Sequence, residues 1–229
     1  MLTSAKFAFD AVLWDMDGTL IDSEPIWIEE EHKLMRSLGV QWTEADALHC
    51  LGGPIERVDA YMRERAKGNH QPFELSNLLI KRMIDRLSTG VAFANGAEKL
   101  LKRLHDENLP MALVSASTRE IMDAALLSIG SHYFQFTCSA GDVLASKPSP
   151  EGYLRAATVL GVDIERTLII EDSVTGMRAA IDSGAYVLGL PHLTALPTGA
   201  KVIHRKNLEG LDLPTLAKLF VGEIGADEE

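Results

Sequence analysis

Trp14-Asp15-Met16-Asp17-Gly18-Thr19-Leu20-Ile21-Asp22-Ser23-Glu24-Pro25 is the stretch whose reading decides the fold. Phe7 to Leu13, just before it, is mostly apolar and β-prone, the pattern of a short strand buried on both faces. A strand ending at Trp14 puts Asp15 and Asp17 at its carboxyl edge, where Gly18 and Thr19 let the chain turn. Open α/β sheets bind ligands at that edge. Two carboxylates so close together repel each other. A divalent cation removes the penalty, and hard cations prefer oxygen ligands. Taken alone, Asp-x-Asp-Gly is also an ordinary polar turn. A calcium loop is excluded, because Thr19, Leu20 and Ile26 fall where it needs its third ligand, its glycine and its closing glutamate.

With 229 residues the chain can bury a large core, as one or two domains. A hydrophobic content of 46% and a mean hydropathy of +0.03 fit a folded globular protein. No apolar stretch approaches the roughly 20 residues of a membrane span, and the N-terminus lacks the pattern of a secretory signal. A cytoplasmic monomer with no membrane partner is expected. Cys50 and Cys138 have neither metal nor redox spacing and read as reduced, buried thiols. The net charge of −11 argues against a nucleic-acid partner. It also means that an anionic substrate needs local positive charge, from a metal or from a well-placed Lys or Arg. The histidines show no zinc spacing, and no P-loop or Gly-x-Gly-x-x-Gly occurs.

From about Glu24 to Leu87 the apolar residues recur at helical spacing. Ile26, Trp27, Leu34, Met35 and Leu38 form one run, stopped by Gly39. Thr43 reads as a helix cap with Asp46 three residues on. Leu48, Leu51, Ile55, Val58, Tyr61 and Met62 continue, broken by Gly52-Gly53-Pro54. Leu75, Leu78, Leu79, Ile84 and Leu87 form the last run. Residues 22–89 therefore read as an inserted helical domain, with 1–21 and 90–229 as the core. In the core, strands at Met111–Val114, Phe134–Thr137, Thr167–Ile170, Tyr186–Leu190 and Lys201–Ile203 alternate with helices at Ala97–Glu107, Arg119–Ile129, Pro150–Leu160, Val174–Asp182 and Leu213–Phe220. That order implies an α/β fold, a Rossmann-like parallel sheet with helices on both faces. The acidic stretch Gly222 to Glu229 reads as a disordered, solubilising tail.

Three more groups stand at or near expected strand ends. Ser115-Ala116-Ser117 precedes a helix, where a hydroxyl and backbone N–H groups either hold a phosphate or simply cap the helix. In Lys147-Pro148-Ser149-Pro150, Pro148 draws Lys147 towards extended backbone and Pro150 suits a first helical turn. Glu171-Asp172-Ser173-Val174-Thr175-Gly176 places two more acids at a strand end. Gly176, Ala179 and Ala180 leave room for the following helix to sit close to the sheet. Ser115 has no His partner in view, which disfavours a serine hydrolase.

Taken together, WDMDGTLIDSEP, Ser115-Ala116-Ser117, Gly141 to Pro148 and Glu171-Asp172 resemble the four motifs of the haloacid dehalogenase-like superfamily. The first string looks like its branch of phosphatases and phosphomutases with a helical cap. The resemblance implies Asp15 as nucleophile, forming an aspartyl-phosphate, and Asp17 as general acid and base. It implies Ser115, the Ala116 N–H and Lys147 as phosphate-binding groups. It implies Mg²⁺ held by Asp15, Asp172 and the Asp17 carbonyl, with Glu171 a nearby acid outside the ion's own ligands. Ser146 departs from the usual Gly before the lysine. The dehalogenases themselves lack the second aspartate and work without metal, so Asp17 and Asp172 point to phosphoryl chemistry. The helical insert would be the cap, hinged near Ile21–Ser23 and Ser88–Gly90, with Glu24 and Trp27 as candidates to face the substrate. Arg57, just beyond the loop where relatives read their substrate, is either a contact or a solvated helix residue. Mutases of this branch commonly carry His in place of Trp27, which favours hydrolysis of a small phosphorylated metabolite such as a sugar phosphate. A phosphomutase, or a non-catalytic binding protein on the same scaffold, is the alternative.

Overall fold

The computed structural model describes residues 9–50, 55–192 and 194–221. Among these residues six strands, β1 (Ala11–Trp14), β2 (Met111–Val114), β3 (Phe136–Cys138), β4 (Thr167–Glu171), β5 (Tyr186–Gly189) and β6 (Val202–His204), form one sheet in the order β3-β2-β1-β4-β5-β6. All five pairings are parallel. β1 lies in the middle, with Trp14 paired to Leu113 on one side and to Ile170 on the other. The strand order reverses between β1 and β4, so a crevice opens at their carboxyl ends.

Successive side chains of a strand point to opposite faces, and both faces here are apolar. Val12, Trp14, Leu113, Ile170 and Leu188 belong to one buried cluster; Leu13, Ala112, Ile169 and Val187 belong to the other. Four helices precede those that cover the sheet: α1 (Glu24–Ser37), α2 (Glu44–Cys50), α3 (Ile55–Ala66) and α4 (Glu74–Thr89). The first face is covered by α5 (Ala97–Asp106), α6 (Arg119–Ile129) and α9 (Leu213–Val221), the second by α7 (Glu151–Leu160) and α8 (Val174–Ser183). The expected Rossmann-like architecture is thus present.

The helices α1 to α4 enclose an apolar cluster of their own, with Leu34, Met35, Trp42, Val58, Met62, Leu75 and Leu79. Thr43 caps α2 reciprocally: its N–H donates to Asp46 Oδ2 at 2.8 Å, and the Asp46 N–H donates to Thr43 Oγ1 at 3.3 Å. α4 belongs to both bodies. Leu75 and Leu79 lie in the helical cluster, while Met83 and Leu87 lie in the sheet-side cluster with Ile121 and Met122 of α6.

Several local expectations shift. β1 begins at Ala11, with Phe9 buried just ahead of it; Phe7 and Ala8 lie outside the described residues. β3 starts two residues later than the sequence pattern implies. Residues 131–133 turn as a 3₁₀ helix, and the Gln135 side chain accepts the Met111 N–H at 2.7 Å. Leu48 and Leu78 are exposed, at 65% and 44%. In α2 it is Asp46, Ala47 and Cys50 that turn inward. Asp46 holds an otherwise apolar place because Tyr61 Oη, Thr43 and Arg65 all bond its carboxylate. Leu51, the Gly52-Gly53-Pro54 break and the tail 222–229 lie outside the described residues. Cys50 and Cys138 are free and buried. Among the described residues, no helix is long and apolar enough to cross a membrane.

Candidate active site

Asp15 follows β1, Ser115 follows β2, and Glu171 ends β4 with Asp172 next. Lys147 arrives on the loop ahead of α7. The Glu151 carboxylate anchors that loop by accepting the N–H groups of Leu144 and Ala145 at 2.8 and 2.9 Å. The Lys147–Pro148 peptide is cis. The Lys147 ammonium donates to Asp15 Oδ1 at 2.5 Å, to Glu171 Oε1 at 2.7 Å and to the Val114 carbonyl at 2.8 Å. Glu171 is wholly buried yet fully partnered. Its Oε1 also accepts from Tyr153 Oη at 2.9 Å, and its Oε2 accepts from the N–H groups of Asp172 and Ser173 and from Ser173 Oγ. The space beside Gly176 is filled by this carboxylate, since a Cβ there would lie 1.7 Å from Glu171 Oε1.

Asp17 is gripped from two sides. Ser23 Oγ donates to its Oδ1 at 2.6 Å and Ser117 Oγ donates to its Oδ2 at 2.7 Å. Ser115 is buried, and its Oγ accepts the Ser117 N–H at 2.9 Å. Thr19 Oγ1 donates to Asp172 Oδ1 at 3.0 Å. His192 Nε2 lies 3.0 Å from the Gly18 carbonyl and 3.8 Å from Asp172 Oδ2. Gly18 has φ +81°, and a Cβ on it would meet Asp172 Oδ2 at 2.1 Å, so the loop after β1 admits only glycine here.

Carboxylate oxygens of Asp15, Glu171 and Asp172 lie within 4.8 Å of one another. Among the described residues one ammonium, that of Lys147, serves this group. Burial, and then Glu171, push Asp15 up to about 7 against the pull of Lys147. Burial, and then Asp15 and Glu171, push Asp172 up to about 9, with Thr19 and Lys147 opposing. Burial acts to lower the Lys147 pKa, but Asp15 and Glu171 outweigh it and hold the amine well above its ordinary value. An oxygen-only donor set carrying more negative charge than its lysine balances fits a hard divalent cation.

The structure therefore brings Asp15, Asp17, Ser115, Lys147, Glu171 and Asp172 to one rim. Ala116 is exposed beside Ser115. Glu24 and Trp27 are half-buried at the start of α1, and Trp27 packs against both the sheet-side and the helical clusters. Arg57 is exposed on α3, close enough to oppose the rise in the Cys50 pKa that burial and Glu31 produce. Sequence reasoning passed over Ser23, Thr19 and Ser117, although each lies within or beside a recognised motif. It also passed over Tyr153 and His192, which no local pattern marks.

A crevice of this chemistry at the switch point of a parallel sheet, with helices inserted directly after β1, defines a Rossmann-like α/β enzyme. Residues 12–190 match the model of the haloacid dehalogenase-like hydrolases, and the chain belongs to that family. It is 32% identical over 173 residues to hexitol phosphatase B of Escherichia coli, covering 74% of this chain and 78% of that one. It is 27% identical over 183 residues to validoxylamine A 7'-phosphate phosphatase of Streptomyces hygroscopicus, covering 80% and 85%. Among solved structures, CbbY of Rhodobacter sphaeroides in complex with phosphate superposes with a TM-score of 0.73 at 24% identity, over 88% of this chain and 96% of that one. That likeness supports the fold alone.

Proposed function

We propose that the protein is a Mg²⁺-dependent phosphatase acting on a small phosphorylated metabolite, a sugar or sugar-alcohol phosphate, through a phosphorylated Asp15. The observation that carries this reading is the buried Lys147 ammonium at 2.5 Å from Asp15 Oδ1, with Asp172 in the same acidic group. The similarity to two phosphatases of small phosphorylated compounds supports the substrate class.

Asp15 attacks phosphorus in line, and its new bond forms as the bond to the leaving alcohol oxygen breaks. Asp17, held by two serine hydroxyls, hands its proton to that oxygen. It then takes a proton from the water that attacks the phosphorylated Asp15, releasing phosphate and restoring the carboxylate. Lys147 balances charge on Asp15 and on the phosphoryl oxygens, which Ser115 Oγ and the Ala116 N–H also hold. Mg²⁺ would be held by the carboxylates of Asp15 and Asp172 and the Asp17 carbonyl, with Glu171 engaged by Lys147. When bound, the ion keeps those carboxylates ionised and offsets the repulsion between them and the phosphate. Enzymes lower the barrier of phosphate-monoester hydrolysis by more than roughly 20 kcal/mol, so these groups must act together.

Residues 22–89 form the cap in this reading, hinged near Ile21–Ser23 and Ser88–Gly90. Closure excludes water and brings Glu24 and Trp27 to the substrate. Release of phosphate from a panel of phosphate monoesters, with Mg²⁺ and with chelator, tests the assignment, with Asp15→Asn as control. Wild-type protein inert on the whole panel overturns it. Interconversion of hexose phosphates without phosphate release makes the protein a mutase.

A further inference from the structure

β4 lies between β1 and β5, and one side chain bridges its carboxyl end. The Leu190 N–H donates to the Glu171 carbonyl at 2.7 Å, so the chain leaving β5 is fixed against the end of β4. Two residues on, His192 reaches over that end to the turn after β1, and its Nε2 lies 3.0 Å from the Gly18 carbonyl. A carbonyl can only accept, so this nitrogen carries a proton and donates it. The same nitrogen is 3.8 Å from Asp172 Oδ2, too far for a hydrogen bond. The side chain is 44% exposed, so apolar packing is not what holds the ring in place.

The turn that His192 meets carries the backbone oxygen given to the cation above. The Gly18 N–H donates to the Ile21 carbonyl at 2.9 Å. The Asp17–Gly18 peptide is trans, so the Asp17 carbonyl points away from Ile21. The next peptide presents the Gly18 carbonyl to His192. Thr19 then donates to Asp172 Oδ1 at 3.0 Å. Gly18 sits at φ +81° and has no side chain with which to fix the turn. The two peptides around the most permissive residue of the loop are therefore held by separate anchors. Ile21 of the same loop holds one, and a side chain from beyond β5 holds the other.

We infer that His192 is a positioning residue for the divalent cation: its N–H fixes the Gly18 turn, and through it the Asp17 carbonyl that binds the ion together with Asp172. The inference rests on the Mg²⁺-dependent reading of the rim. His192 is not itself a ligand in this arrangement, because the nitrogen nearest the acidic group is already bonded to Gly18. Removing a partner that orients a metal's ligands typically weakens metal binding about 10–100-fold.

Wild type, His192→Ala and His192→Gln are titrated with Mg²⁺ at about pH 8, where protons compete less with the ion, and the thermal midpoint is followed without substrate. Turnover of p-nitrophenyl phosphate is then measured over the same Mg²⁺ range. His192→Ala is expected to need about tenfold more Mg²⁺ for the same rise in midpoint and for half-maximal turnover. His192→Gln, which keeps an N–H donor, stays within about threefold of wild type. The metal-free midpoint of His192→Ala stays within about 4 °C of wild type. At saturating Mg²⁺ its kcat returns to within about threefold. An unchanged or lowered Mg²⁺ requirement overturns the inference and leaves the phosphatase reading intact. So does a kcat loss that saturation does not repair, a His192→Gln protein as weak as His192→Ala, or a metal-free midpoint that falls further. Wild type whose midpoint and turnover both ignore Mg²⁺ overturns the inference and the metal dependence together.

Discussion

Ser117 Oγ donates to Asp17 Oδ2 at 2.7 Å, joining the loop after β2 to the loop after β1 across 100 positions of chain. Ser23, at the start of α1, holds the other oxygen. The carboxyl group is therefore oriented by the loop after β2 on one side and by the start of α1 on the other. Ser117→Ala releases one side. The expected result is a loss of about tenfold in kcat with little change in KM, a fraction of what a general acid supplies. The loss should be larger on alkyl phosphates than on p-nitrophenyl phosphate, whose leaving group hardly needs a proton. Equal losses on both would show that Ser117 does not act through Asp17.

Among the described residues Lys147 is the one cation that bonds Asp15 and Glu171, and all three side chains are less than a tenth exposed. Removing one partner of a buried charge group leaves the others uncompensated. Lys147→Met is expected to destabilise the protein by about 3–5 kcal/mol in denaturant titrations and to lower kcat by at least about 100-fold. Adding Glu171→Gln should recover part of the stability and none of the activity. If the double variant is as unstable as the sum of the two singles, the pair is not coupled as the distances state.

Asp15 at about 7 and Asp172 at about 9 lie above the ordinary aspartate value of about 3.9. Without metal, the folded state then holds protons that the unfolded chain has lost, and its stability falls as pH rises from about 4 towards 9. A cation at these carboxylates must displace those protons, so its affinity rises over the same window. The rise in thermal midpoint produced by Mg²⁺ should therefore grow between about pH 6 and pH 9, and Asp172→Asn should remove it. A rise independent of pH would place the ion elsewhere.

How much was legible in the sequence follows from where each residue stands. Asp15, Ser115 and Glu171-Asp172 come where buried apolar runs end, and the end of a strand is a local property. Lys147 stands just ahead of two prolines, Pro148 and Pro150, whose backbone demands are equally local. Ser117 was not legible, because a serine before a helix reads as its cap. In the structure Thr118 takes that role, accepting the Ile121 N–H, and Ser117 is left to bond Asp17. Tyr153 reads as one more inward residue of α7, and only the fold shows Glu171 beside its hydroxyl. His192 follows β5 in a segment without periodicity. The helices of the insert were legible from their period, but the inward face of α2 was not, since Asp46 displaces Leu48 by finding three partners of its own.

Gly176 makes the tightest joint around Glu171, where a Cβ would lie 1.7 Å from Oε1 and 2.0 Å from Cδ. Alanine is the better helix former by up to about 1 kcal/mol, so propensity alone favours Gly176→Ala. The clash opposes it, because Glu171 is wholly buried and its oxygens are taken by Lys147, Tyr153 and Ser173. Overpacking of this kind costs about 1–3 kcal/mol, and any shift of the carboxylate also loosens Lys147 from Asp15. Gly176→Ala is therefore expected to lower the thermal midpoint and kcat together. Glu171→Asp draws the carboxylate back by one methylene, so Gly176→Ala combined with Glu171→Asp should be more stable than the two single effects add up to. A Gly176→Ala protein as stable and active as wild type would show that the Glu171 carboxylate is free to move, and the rigidity assigned to the lysine's setting would go with it.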